Sequence, residues 1–162
     1  MAAGGAFNLS HSGHVALIGV SEQGEIGVDI ELRRPITELS DLARRNFTAV
    51  EISELSACAD DAQALTAFLR GWTRKEACLK ALGSGLSIAP ETFTVGLDES
   101  PRRVDIATDA GWAVVCVASL SPGPGMLAAV ARRVADAHGV VLHPETRMVG
   151  FAPFDQAVGA AS

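Results

Sequence analysis

The sequence predicts an α+β domain: a small antiparallel β-sheet packed against one long α-helix, with short helices beside it. Three observations carry this expectation. Leu65, Phe68, Leu69, Trp72 and Leu79 place an apolar face on a helix-like stretch running from about 60 to 82. Segments on both sides of that stretch instead alternate apolar and polar residues with a period of two. Gly- and Pro-rich punctuation, such as SPGPG at 121–125, separates the alternating segments as hairpin links would.

The elements follow in order. FNLS at 7–10 can open a strand, and HVALIGVS at 14–21 reads as a buried one. A turn at 22–24 leads into EIGVDIEL at 25–32, so these last two segments are expected to form a hairpin. Within 25–32, Ile26, Val28 and Ile30 point to one face while Asp29 and Glu31 share the other. Pro35 ends that strand and residues 37–46 are helix-like. Thr48 and Glu51 have the spacing of a capping box at the start of a second short helix. Asp60 offers a start signal for the long helix, Gly83 its stop, and Gly71 a local irregularity. Beyond the GSG turn, residues 92–97, 104–108, 112–120 and 126–133 read as antiparallel strands. A flexible N-terminus is expected at 1–6, the domain at 7–134, and a weakly patterned tail at 135–162 whose end is disordered.

The 162 residues are 48% hydrophobic and 20% charged, which suits one soluble domain with one core. Tyr is absent and aromatics are scarce, so Ala, Val, Leu and Ile must build that core. A net charge of −6, with no basic run beyond Arg doublets, argues against nucleic-acid and membrane-surface binding. The apolar run at 112–120 is far short of the ~20 residues a spanning helix needs. The first residues lack the charged and apolar regions of a secretory signal, so a cytoplasmic location is expected. Cys58, Cys78 and Cys116 are odd in number and widely spaced, which reads as reduced thiols packed as small hydrophobes.

Four groups of residues could carry chemistry. Asp29 and Glu31 form either an exposed acidic strand face or a hard-oxygen site for Mg²⁺. In a half-buried place two such charges ~4 Å apart repel by roughly 4 kcal/mol, so a cation should sit between them. The chain's only two lysines, Lys75 and Lys80, flank Glu76. Glu76 and Lys80 are one helical turn apart and share a face, while Lys75 lies about 100° round the axis from Glu76. They make either a solvated charged face or a phosphate clamp with Glu76 as a third carboxylate. Ser10 and His11 belong either to a loop satisfying its own backbone or to an anion pocket. Glu51 is first a capping residue, with a role near a metal as its second reading. The Arg pairs at 33–34, 44–45, 102–103 and 132–133 are surface charge or, on the minority reading, a docking face for an acidic partner.

FNLSHSG at 7–13, IGVDIE at 26–31, FTAVE at 47–51 and WTRKEACLKALGSGL at 72–86 stand in an order and spacing that resembles the Sfp-type 4′-phosphopantetheinyl transferase superfamily. The resemblance runs over about residues 7–133 and covers only the C-terminal lobe of the two-lobed enzymes. It implies transfer of the phosphopantetheine arm of coenzyme A to a serine of an acyl, aryl or peptidyl carrier protein, with release of adenosine 3′,5′-bisphosphate. By position it implies that Asp29, Glu31 and Glu76 hold Mg²⁺ against the pyrophosphate. Glu76 would be base toward the serine, directly or through water, and Lys80 would neutralise or protonate the leaving phosphate. Lys75 would contact phosphate, Ser10 and His11 would bind the 3′-phosphate of the coenzyme, and Glu51 would lie near the metal. For the first lobe, which the resemblance does not cover, three explanations stand: a start codon placed too far downstream, a homo-oligomer that rebuilds the cleft, or a degenerate protein that no longer catalyses. The alternatives are a truncated, non-catalytic remnant that binds coenzyme A or a carrier protein, and another Mg²⁺-dependent nucleotide-handling enzyme.

Overall fold

A computed structural model describes residues 5–22, 24–83 and 87–134. Most of the N-terminal segment expected to be flexible, and the tail at 135–162, lie outside those residues. The elements run β1 (Ala6–Ser12), β2 (Val15–Ser21), β3 (Ile26–Leu32), α1 (Leu39–Asn46), α2 (Ala49–Ser56), α3 (Asp61–Leu82), a 3₁₀ turn (Pro90–Thr92), β4 (Arg102–Thr108), β5 (Gly111–Leu120) and β6 (Met126–Val134). β3, β6, β5 and β4 form an antiparallel sheet in that order, and β1 and β2 form a separate two-stranded ribbon. The α+β architecture is the one the sequence predicts.

α3 is built as its sequence signals require. Asp60 accepts the Gln63 N–H at 2.8 Å as N-cap, and Gly83 closes the helix in the left-handed conformation at φ 64°. Its first half packs Phe68 and Leu69 against Phe47, which follows α1, and Leu55 of α2. Its second half buries Ala77, Cys78, Leu79 and Ala81 against Val115, Val117, Ala129 and Ala131 of the sheet. Thr48 and Glu51 make the expected capping box at the start of α2. No helix among the described residues is long and apolar enough to cross a membrane.

Three local expectations are corrected. β2 does not form a hairpin with β3; it pairs with β1 through the two-residue loop Gly13-His14, while β3 pairs with β6. Gly13 at φ 56° supplies the first position of that loop, which most other residues resist. Residues 92–97 do not form a strand. Phe93, Val95 and Leu97 alternate inward and are buried, but their own backbone groups are claimed by side chains. Glu51 accepts the Val95 N–H, and Lys75 and Arg70 donate to the carbonyls of Phe93 and Leu97. Gly71 marks close packing and no irregularity: a Cβ there would lie 2.5 Å from the Phe47 ring and from Leu97.

β1 stands beside the free edge of β3 in an unusual way. The N–H groups of Val28, Ile30 and Leu32 are donated to the side chains of Asn8 (2.9 Å), Ser10 (3.3 Å) and Ser12 (3.2 Å), in place of a backbone ladder. β2 adds Leu17 to the apolar cluster of Val28, Ala118 and Val130, while Phe7, Leu9, Ile18 and Val20 on the far face of the ribbon are exposed.

Candidate active site

The site exists because α3 lies directly on β3. At Gly27 a Cβ would fall 2.1 Å from the Ala77 carbonyl and 2.4 Å from the Ala81 nitrogen, so only glycine lets the helix backbone come this close. Period-two alternation then puts Asp29 and Glu31 on the side of the strand that Gly27 presents to the helix. Helical spacing turns Glu76 and Lys80 toward it. From Thr73 to Ala81 these two, half-buried, are the only side chains not fully buried.

Lys80 Nζ donates to Asp29 Oδ1 at 2.7 Å and to the Val28 carbonyl at 3.1 Å. Asp29 Oδ1 also accepts the Ser10 hydroxyl at 2.9 Å, and Glu31 Oε2 accepts the Ser12 hydroxyl at 2.8 Å. Asp29 Oδ2 is buried and has no hydrogen-bond partner. Burial pushes the Asp29 carboxyl above its ordinary range; Lys80 and Ser10 oppose this and the charge of Glu31 adds to it. Glu76 is raised as well, first by burial and then by Asp29, with Lys80 pulling the other way. Three carboxylates therefore face one lysine, and the centre is short of positive charge. Among the described residues no three His, Cys, Asp or Glu side chains already converge as a metal centre. A groove of about 420 Å³ opens beside Glu31, lined by Arg34, Ile36, Leu42, Leu69 and Trp72.

The structure thus brings together Asp29, Glu31, Glu76, Lys80 and Ser10, and leaves other expected residues elsewhere. Ser10 and His11 alternate on β1, so Ser10 is buried against Asp29 while His11 lies on the exposed face with Phe7 and Leu9. Lys75 points into the core: its Nζ meets Glu51 at 2.8 Å, the Pro90 carbonyl at 2.8 Å and the Phe93 carbonyl at 2.5 Å. Glu51 is buried in that same pair, apart from the carboxylates of β3. Two of the four Arg doublets take local carboxylate acceptors, Arg44 with Asp41, Arg102 with Asp98 and Arg103 with Asp105. Ser12 was not singled out from the sequence, yet it holds Glu31. The signal was there in Asn8, Ser10 and Ser12, which alternate with Phe7, Leu9 and His11 as a strand's two faces must.

A strand bearing two carboxylates, crossed by a helix that offers a glutamate and a lysine one turn apart, defines an α+β lobe with an acidic, lysine-bridged centre. The chain belongs to the 4′-phosphopantetheinyl transferase superfamily: the family model of that description matches residues 25–122, which span β3, all three helices and most of the sheet. The chain is similar to the 4′-phosphopantetheinyl transferase HetI of Nostoc sp., at 37% identity over 125 residues covering 77% of this chain and 50% of the relative. It is 41% identical over 96 residues to the 4′-phosphopantetheinyl transferase ffp of Bacillus subtilis, covering 59% and 41% of the two chains. With the transferase AcpT of Salmonella typhi the identity is 46% over 77 residues, covering 48% and 40%. The chain spans about half the length, or less, of these curated relatives.

Proposed function

We propose that this chain transfers the 4′-phosphopantetheine arm of coenzyme A to a serine of an acyl, aryl or peptidyl carrier protein, releasing adenosine 3′,5′-bisphosphate. The observation that carries the reading is the meeting of Lys80 and Glu76 on α3 with Asp29 and Glu31 on β3. Family membership and transferase relatives support it.

The donor chemistry fits Mg²⁺. Asp29, Glu31 and Glu76 are hard oxygen donors, the buried Asp29 Oδ2 lacks a partner, and one lysine does not balance three carboxylates. These three residues would hold the ion, which would supply charge neutralisation to the pyrophosphate. The protein's own groups do the rest. Glu76, half-buried on the face of α3 that meets β3, is placed to take the serine proton directly or through water. Lys80 is partly exposed and within one side chain's reach of the same centre, where it neutralises the leaving phosphate. Ser10 fixes the Asp29 carboxylate and Ser12 that of Glu31. A second copy of the chain is proposed as the other wall of the cleft, a reading supported by the exposed Phe7, Leu9, Ile18 and Val20. Cys58, Cys78 and Cys116 in thiol form accord with the proposed cytoplasmic location.

The test is to incubate the chain with coenzyme A, Mg²⁺ and an apo-carrier protein and to weigh the carrier, which should gain ~340 Da as covalently attached arm. No gain at high enzyme concentration refutes transfer by this chain. Coenzyme A binding without a gain would favour the non-catalytic remnant.

A further inference from the structure

Lys75 and Glu51 are buried to 1% and 0% exposure, a setting in which neither charge can be solvated by water. Each has its hydrogen-bonding capacity met by protein. The three acceptors around Lys75 Nζ are Glu51, the Pro90 carbonyl and the Phe93 carbonyl, and the rings of Phe47 and Phe93 close over it at 5.3 and 4.8 Å. Glu51 Oε2 accepts Lys75 and both the N–H and the hydroxyl of Thr48, while Oε1 accepts the Val95 N–H at 2.8 Å. A capping glutamate needs only the Thr48 contacts, so the remainder of this cluster is beyond what starting α2 requires. The pair ties α2, α3, the 3₁₀ turn and the irregular segment at 93–95 to one point.

That point lies one residue from Glu76. Successive side chains on a helix are about 100° apart, so fixing Lys75 toward the core fixes the rotation of α3, and with it the direction of Glu76 and, a turn later, of Lys80. We propose that Lys75 and Glu51 are positioning residues: they set the rotation of α3 so that Glu76 and Lys80 face Asp29 and Glu31, and Lys75 does not touch the coenzyme. This rests on the transferase reading for its kinetic consequence and departs from the role that resemblance implies for Lys75. A buried ion pair suits such a task because it is satisfied in one geometry only, whereas apolar packing tolerates small rotations.

The experiment compares Lys75→Met, Glu51→Gln and the double variant by NMR contacts, unfolding and kinetics. NMR contacts between Gly27 and the Ala77–Ala81 turn read the seating of α3 without any need for turnover. They should weaken in each single variant, which leaves a buried charge unpaired, and recover only in part in the double, where no unpaired charge remains but the pair that fixes the rotation is gone. In the transfer assay each single variant should lose about tenfold or more in kcat, as misplaced groups do, and the double should lose less than the two combined. KM for coenzyme A should stay within about threefold. Lys80→Met is the contrast, with coenzyme affinity lost while the Gly27 contacts persist. If Lys75→Met folds with its Gly27 contacts intact, or raises KM about tenfold with kcat kept, the proposal is overturned and a phosphate contact is favoured. Should a single variant fail to fold, the double must regain the fold, and its failure to do so also overturns the proposal. Absence of turnover in the wild-type chain would sink the transferase reading alone, since the Gly27 contacts test the positioning independently.

Discussion

Asp29 and Glu76 resist ionisation for one physical reason, which is burial beside other carboxylates. A carboxyl group raised in the folded state favours folding at acid pH; that contribution is fully present below its unfolded pKa, 3.8 for Asp29 and 4.5 for Glu76, and is lost as pH rises through the raised value. At neutral pH the apo centre therefore works against the fold. Glu76→Gln should raise the melting temperature at pH 7.5 while changing it little at pH 4, and the same substitution should abolish the carrier's mass gain. A lower melting temperature at pH 7.5 would contradict this account of Glu76. Of the residues in the centre, Asp29 with Glu31 and Glu76 with Lys80 were legible in the sequence as pairs, because strand and helix periodicity sort each pair onto a shared face; that the two faces meet, and that Ser10 joins Asp29 while His11 turns away, was not. The inward turn of Lys75 was not legible. Its acceptors are carbonyls at 90 and 93, supplied by a segment whose irregular path no local pattern announces.

At the scale of elements, the decisive contact is α3 on β3 at Gly27. Replacing Gly27 with Ala puts a methyl group into the helix backbone, where no flexible side chain can yield. Such overpacking typically costs ~1–3 kcal/mol, so Gly27→Ala should lower the denaturant midpoint and, by lifting Glu76 and Lys80 off β3, lower transfer more than it lowers coenzyme binding. A variant with unchanged midpoint and activity would show that the close approach is dispensable. The long helix was readable from Asp60 to Gly83 since both ends carry chemical signals inside the sequence. The link between β5 and β6 through 121–125 was readable too, but the partner of β3 was not, because β3 pairs with β6 from the far end of the described chain. The Gly13-His14 loop shows the other side of this. A single glycine decided which two segments became a hairpin, and the more conspicuous turn at 22–24 did not.

For the molecule as a whole, the three thiols divide by depth. Cys78 is fully buried in α3 with its thiol pushed up to about 12, Cys116 is buried in β5 and raised too, and Cys58 is partly exposed. Only the thiolate reacts readily, so alkylation of the native chain at pH 8 should modify Cys58 first, with Cys78 protected until the fold opens. Early labelling of Cys78, read by peptide mass, would mean that α3 leaves the sheet in the native state. The side-chain ladder from β1 has a consequence of the same reach. A sheet edge normally offers a row of backbone donors to any passing strand, and many proteins blunt it with charge or proline. Here Asn8, Ser10 and Ser12 occupy the donors of Val28, Ile30 and Leu32. The strand that carries the acidic centre is thus closed to pairing with foreign chains by the same serines that steady its carboxylates, so loss of those hydroxyls exposes a template for aggregation as well as a loosened site.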